Sequence, residues 1–341
     1  MARLKIKPTV KEWIKAFLYA LLILLIVRNF FYQVYVVESD SMEGTLKKGD
    51  FVLVNKISYG ARIPVTPFCV PFTDWYISSL QLPYWRMPGF YDIEQNDVIL
   101  FNYPRDLHLP IDRRSKMIKR VIGLPGDTME INGTNVLINN QPVQLPETIL
   151  YDYYVSHNGD VTEKDLSGEN IFTIHSISPI EYIVTATNGV DSLLKKIPGV
   201  IKAELFDPAG DENLEIYFPQ SPFYHFSLHH FGPVVIPKAG MKIKLTPLNW
   251  PLYRDAITVH ENKIAEFKNN HFYIEGCKED EYVFEMDHFF VTGDNQHSSV
   301  DSRHWGFVPE SHVIGKVNRV VFSYDKGGDG IRWSRVFDGV K

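Results

Sequence analysis

The 341-residue chain has only two cysteines, Cys69 and Cys277, far apart in sequence. They are too few for a disulfide scaffold and lack the paired spacing of a zinc site. Two buried free thiols is the plainest expectation, with a bond between them left open. No block of like charge occurs, and a net charge of −6 with a pI near 6.1 argues against nucleic acid as a partner. Internal repeats and low-complexity tracts are missing. So is a Gly-x-Ser-x-Gly elbow, and Ser41 has no Lys three residues on, because position 44 is Gly. Only one apolar run is long enough to bear on a membrane. The rest, at 45 % hydrophobic and 22 % charged, reads as folded protein, enough for one large domain or two ordinary ones besides an anchor.

That apolar run covers residues 17–27 (FLYALLILLIV) and has no charge. Extended through Trp13 and past Arg28 to Val37, it gives about 25 residues, enough to cross a ~30 Å hydrocarbon core as a helix. Lys15 and Arg28 stand near its edges, where long side chains snorkel. Upstream, Arg3, Lys5, Lys7, Lys11 and Lys15 outnumber the single acid Glu12, which keeps the N-terminus cytoplasmic and exports the remainder. A cleaved signal peptide is the competing reading. The following NFFYQVYVV is bulky and has no small-x-small cleavage site, so a single uncleaved anchor is expected.

Beyond it the chain reads as β-rich. Short runs such as FVLVNKI, DVILFNY, KMIKRVIGL, TMEING, NVLINN, MKIKLT, YVFEM, HFFVTG and HVIGKVNRVVFSY are separated by turn residues. Residues 246–266 hold the best helical candidate. Residues 63–90 form a Pro-punctuated aromatic loop that either rests on the bilayer or packs on the domain. His225, His229 and His230 could be a metal site, with i, i+4 spacing if helical, but no carboxylate or cysteine flanks them. No metal is expected there, and activity should survive a chelator.

The serine-rich stretch ESDSMEGTLKKGD (38–50) has no general base beside Ser41. No histidine lies in a known serine-hydrolase element, which leaves lysine. An ordinary lysine is protonated at neutral pH, but burial among apolar groups lowers its pKa and makes it a competent base. Lys119 stands in the apolar strand MIKRVIGL, which alternation divides into a Met117, Lys119, Val121 face and an Ile118, Arg120, Ile122 face. A strand-edge lysine reaching solvent is the alternative for this residue taken alone. Asp127 reads as a turn former and Arg120 as a salt-bridge partner.

Together, four stretches resemble bacterial type I signal peptidases. SDSMEGTLKKGD is similar to their nucleophile motif, KRVIGLPGD to their lysine motif, GDNQHSSVDSRHWGFVP to their last motif, and NDVILFNYP to an intervening strand, all in family order after an N-terminal anchor. The resemblance covers residues 10–60, 94–132 and 286–318 and is thin between 133 and 285. It implies Ser41 as nucleophile, Lys119 as general base, Ser39 with the Ser41 N–H as oxyanion hole, and Ser299 as the residue orienting the lysine. Asp301 and Arg303 would be a supporting charged pair, Asp294 and Asn295 structural, and Met42 and Ile118 pocket walls. No cofactor is implied. The partners would be exported precursors with signal peptides, bound as an added strand along residues 37–41 and 115–119, and the bilayer. The family's proline is Gly44 here, which should loosen the turn after Ser41, and its usual glycine is Asn96.

The expected fold is mostly β. An antiparallel β-sheet catalytic core would come from residues 37–131 and 286–341, with a β-rich insertion lobe from 132–285. A cytoplasmic basic tail and one N-terminal transmembrane helix (1–36) would tether it to the cytoplasmic membrane with the catalytic part outside. Two alternatives remain at this point: a Ser/Lys self-processing peptidase, and a catalytically impaired, membrane-tethered paralogue acting as a scaffold.

Overall fold

A computed structural model describes residues 10–69, 75–207, 216–328 and 330–340. Arg3, Lys5 and Lys7 lie outside these residues, as does part of the aromatic loop. Helix α1 (Val10–Phe30) leads into β1 (Tyr32–Val36), β2 (Asp50–Asn55), β3 (Val98–Asn102), β4 (Lys116–Gly123), β5 (Thr128–Asn132), β6 (Asn135–Ile138) and β7 (Gln141–Pro142). Then come β8 (Leu150–His157), β9 (Ile171–Ser178), β10 (Glu181–Thr187), β11 (Val200–Leu205), β12 (His230–Val235) and β13 (Lys242–Lys244). The chain continues with β14 (Ala265–Lys268), β15 (His271–Ile274), β16 (Cys277–Lys278), β17 (Glu281–Val283), β18 (His288–Thr292), β19 (Val308–Pro309), β20 (Val313–Asp325) and β21 (Gly330–Ile331).

The principal sheet runs β1-β2-β20-β3-β4-β18-β19, with β21 on β20, and its ladders are antiparallel. At its centre β3 is buried on both faces, which is why it reads as an unbroken apolar run rather than an alternating one. Val98 and Leu100 pack with Val52, Val54, Ile118 and Val317, and Ile99 and Phe101 pack on the other face with Val121, Val291 and Trp305. A smaller sheet, β12-β5-β6-β7, extends this body around Met129, Phe231 and Phe290. The four-stranded sheet β11-β8-β10-β9 closes on its own core of Val155, Leu166, Val184 and Ala203. The stretch 132–285 therefore contains two kinds of structure. Residues 150–205 fold around themselves, while β12 pairs with β5 and shares a core with Ile122 and Phe307.

Several expectations are corrected. The helix stops at Phe30, and Tyr32–Val36, read as the end of the apolar span, is a strand paired with β2. Its Tyr-Gln-Val-Tyr-Val alternation of β-formers suits a half-covered edge better than a helix. The expected transmembrane helix is left unconfirmed: among the described residues no helix is long and apolar enough to cross a membrane. Lys11, Glu12, Lys15 and Arg28 all fall within α1, so its charge-free run is confined to residues 16–27. Both cysteines are free, but Cys277 is exposed and Cys69 half-buried, so neither is the buried thiol expected. The helical candidate in 246–266 shrinks to Trp250–Asp255 and one further wide turn, Ala256–His260.

Candidate functional site

Ser41 lies in the loop that joins β1 to β2. A tight turn, in which the Thr45 and Leu46 N–H groups donate to the Met42 carbonyl, follows it. Met42 and Leu46 are driven into the core with Val37 and Ile118, which fixes the loop from below. From the side it is held by the segment after β18. The Asn295 N–H donates to the Ser41 carbonyl at 3.1 Å, and the Asn295 amide donates to the Asp40 carbonyl at 3.3 Å. Gly293 makes this approach possible, since a Cβ there would stand 2.3 Å from both the Ser41 carbonyl and Ser299 Oγ.

Lys119 is on β4 and is 2 % exposed. Its Nζ donates to Ser299 Oγ at 2.9 Å, and Ser299 Oγ donates to Asp301 Oδ2 at 2.7 Å. The lysine thus reaches a carboxylate only through a neutral hydroxyl. Burial pulls its pKa down to about 8; the negative charge of Asp301 works against the fall and the Arg303 guanidinium adds to it. Asp301 is buried too, which alone would raise it, but Arg303 holds it at about 2. Arg303 donates to both carboxylate oxygens, at 2.9 and 2.7 Å, and the Gly293 N–H donates to Oδ2 at 3.0 Å.

Ser41, Lys119, Ser39, Met42 and Ile118 all line one cavity of about 180 Å³. Ser41 Oγ lies 3.2 Å from Ser39 Oγ, and among the described residues no hydrogen bond joins it to Lys119. The cavity floor is apolar, and its walls are two unpaired backbone edges. Residues 116–119 of β4 pair only with β3, because β18 begins its pairing at Arg120. Val37, just after β1, still pairs with Gly49 and Asp50 on the β2 side, and the Tyr35 hydroxyl donates to the Lys116 carbonyl across the gap at 3.2 Å. The arrangement can activate a hydroxyl next to a slot that would take an extended peptide.

Arg120, the next residue of β4, has a different environment. Its guanidinium meets both oxygens of buried Asp294 at 2.8 and 2.6 Å and also donates to the Asn96 carbonyl and Thr45 Oγ1. Asp127 accepts from the Leu124 N–H and closes the turn, as expected.

A family profile described as "Signal peptidase, peptidase S26" matches residues 10–203 and 235–322, most of the chain. The chain belongs to the signal peptidase family. It is 26 % identical over 318 residues to signal peptidase I of Buchnera aphidicola subsp. Schizaphis graminum, across 92 % of this chain and 77 % of that one. It is 30 % identical over 178 residues to signal peptidase I of Pseudomonas aeruginosa, covering 49 % and 55 %. To signal peptidase I P of Bacillus subtilis subsp. natto it is 25 % identical over 219 residues, covering 64 % and 95 %. It is accordingly a hydrolase, a signal peptidase by family.

Within the signal peptidase pattern, Gly44 departs in a way the sequence misled on. Its φ is +101°, which proline, fixed near −65°, cannot adopt. The Thr148 carbonyl sits where a Cβ would be, 2.1 Å away. The turn is not loose: Thr45 Oγ1 bonds Thr148 Oγ1 at 2.8 Å, and Arg335 donates to the Thr45 carbonyl at 2.9 Å. Asn96 replaces glycine at φ 70°, a conformation asparagine tolerates better than other side chains.

Sequence reasoning missed the outer supports. Leu150 of β8 donates to the Asp294 carbonyl and accepts from the Gln296 N–H, so the lobe strand docks on the loop beside Ser41. Gln296 accepts from Arg303, and His297 Nδ1 accepts from the Asp152 N–H. Membership in the GDNQHSS segment was the one available signal, and it could not tell support from decoration. His225, His229 and His230 do not gather: His229 is buried against His297 and His230 opens β12. Among the described residues no group of three or more His, Cys, Asp or Glu could hold a metal.

Proposed function

We propose that this chain removes N-terminal signal peptides from exported precursors with Ser41 and Lys119 as a catalytic dyad. The observation that carries the reading is a buried lysine with only a hydroxyl for a partner, its pKa drawn down to about 8, in the cavity that Ser41 lines. At neutral pH a usable fraction of Lys119 is uncharged. It takes the Ser41 Oγ proton as Oγ attacks the scissile carbonyl, and the oxyanion is received by the Ser41 N–H and the Ser39 hydroxyl. The lysine then gives its proton to the leaving amine, and an ester acyl-enzyme remains. Deacylation repeats the transfer, with water in place of Oγ. Reaching Oγ requires Ser41 to turn from Ser39 towards Lys119 when substrate fills the slot, since catalytic hydrogen bonds often tighten only in the complex. Ser299 holds the ammonium, and Asp301 with Arg303 holds Ser299. Met42 and Ile118 form the shallow apolar floor, which suits small side chains before the cut, and the substrate adds as a strand between residues 37–41 and 115–119.

In this reading the core is residues 37–131 and 286–341, the lobe is 132–285, and α1 is a single-pass tether with a cytoplasmic N-terminus. Its apolar side chains are exposed along its whole length, Phe17, Leu18, Ile23 and Leu24 among them. Lys15 and Arg28 snorkelling at the two ends would let the short charge-free run sit across the bilayer.

The test is incubation of the full chain in mild detergent with a precursor carrying an Ala-x-Ala site, with the cut located by mass spectrometry. Cleavage after the last Ala, lost in Ser41→Ala and in Lys119→Ala, is expected. Intact precursor with the unmutated protein would point instead to a non-catalytic scaffold.

A further inference from the structure

A second cavity, of about 260 Å³, opens at the foot of α1 and shares Lys116 with the cavity that Ser41 lines. Its wall brings together Arg28, Lys56, Arg62, Arg113 and Lys116 against one carboxylate, Asp112, in a protein whose net charge is −6. One oxygen of Asp112 accepts from the Thr66 N–H at 2.8 Å and the Thr66 hydroxyl at 2.9 Å, and its other oxygen is buried without a hydrogen-bond partner. Among the described residues no carboxylate forms an ion pair with Lys56, Arg62 or Lys116. Lys56 donates only to the Arg28 and Asn29 carbonyls, at 2.8 and 3.4 Å, and Arg62 to the Ser311 carbonyl and the Asn102 side chain. The crowding has a visible consequence. Burial and the charges of Arg62, Arg28 and Lys116 press Lys56 down to about 7, and burial with Arg86 lowers Arg62 to about 10. Lys56, Arg62 and Lys116 thus face the cavity without an ion-pairing carboxylate among the described residues. Around it the surface is apolar: Phe68 and Trp85, from the loop whose base lines the cavity, are 58 % and 53 % exposed.

From this juxtaposition we propose that the cavity binds a phosphate group, that of an anionic phospholipid headgroup at the membrane surface. The proposal rests on the tethered reading of α1 given above. With α1 in the bilayer, Arg28 and the cavity mouth stand at headgroup depth, and the exposed aromatics suit the same interface. Guanidinium and ammonium groups from separate segments would close on the phosphate oxygens. The ligand's charge would in turn stabilise a corner of the fold that holds the last turn of α1 to β2.

The full chain, in a neutral detergent, is mixed with equal amounts of short-chain phosphatidylglycerol and phosphatidylcholine, and bound lipid is counted by native mass spectrometry. Phosphatidylglycerol should be preferred, and the preference should fall about fivefold in Lys116→Gln while persisting in Lys116→Arg. Inorganic phosphate should compete. Equal retention of the two lipids, or a preference untouched by both Lys116→Gln and Lys56→Gln, overturns the proposal. Phosphate binding without lipid preference overturns the lipid source in favour of a free anion. Precursor cleavage is measured on the same sample. A protein that cuts but shows no lipid preference refutes this site alone; one that prefers phosphatidylglycerol but never cuts refutes the enzymatic reading alone.

Discussion

Lys119 and Arg120 are consecutive residues of β4, both cationic and both buried, at 2 % and 0 % exposure. They differ in what answers the charge. Arg120 is met directly and doubly by Asp294, and its remaining donors reach Asn96 and Thr45. Lys119 is met by a hydroxyl, and the nearest carboxylate is committed to Arg303. The first cation is therefore architecture, tying β4 to the two loops that carry Ser41 and Asp294. The second is left short of compensation, and its proton is loosened. In the proposed dyad, what would separate chemistry from scaffold on this strand is not burial, which the two share, but whether a carboxylate is allowed to touch.

The comparison can be broken from either side. The largest effect should come from Lys119→Arg, which keeps a cation but not one that can lose its proton: cleavage should fall by about 10²–10⁴-fold in kcat/KM. Activity near the unmutated level would show that charge, not a proton acceptor, is what the site needs. Next, the two neighbours should respond with opposite sign in stability. Arg120→Met leaves Asp294 buried and unpaired and should lower unfolding stability by about 3–5 kcal/mol. Lys119→Met removes a cation that the fold disfavours and should raise stability at pH 7 by a few kcal/mol at most. The sign follows because the folded pKa lies below the unfolded one. The penalty is present in full below about pH 8 and fades as pH rises towards the ordinary lysine value, so the gain should shrink over that interval. Thermal or denaturant unfolding of both variants at pH 7 and at pH 10 checks this. Two destabilised variants would end the distinction drawn here.

Gly44→Pro should also be destabilising, by roughly 3 kcal/mol or more, because the native φ is positive and the Thr148 carbonyl occupies the space. A variant as stable as its parent would mean that the turn can adopt the shape of the family's proline. The smallest expected effect on turnover is that of Ser299→Ala, which removes two hydrogen bonds to charged groups, one from Lys119 and one to Asp301, each worth about 1.5–3 kcal/mol. It should lower kcat/KM by roughly tenfold and move the pH profile, whereas a merely structural serine would change neither.

Much of this was legible from residues alone. β3 and β4 announced themselves as apolar runs, and the ordered motifs gathered Ser41, Lys119 and Ser299 across the chain. Less visible was anything that depends on partners distant in sequence. Tyr32–Val36 read as the tail of an apolar span because strand pairing with β2 is not written locally. Gly44 read as a loosened proline because the chain that fills its missing side chain, Thr148, lies far along. The lobe was expected to be β-rich, but the positions of its strands β8 to β11 were not read. Leu150 and Gln296, whose backbone bonds seat the lobe on the loop beside Ser41, carry no side-chain signature of that task.

The most direct test of the central claim is the pH dependence of kcat/KM for precursor cleavage by the full chain. A neutral Lys119 acting as base predicts a rate that is low in acid and rises through an inflection near pH 8, with Lys119→Ala inactive throughout. A profile flat from pH 6 to 9, or substantial cleavage by Lys119→Ala, would contradict it.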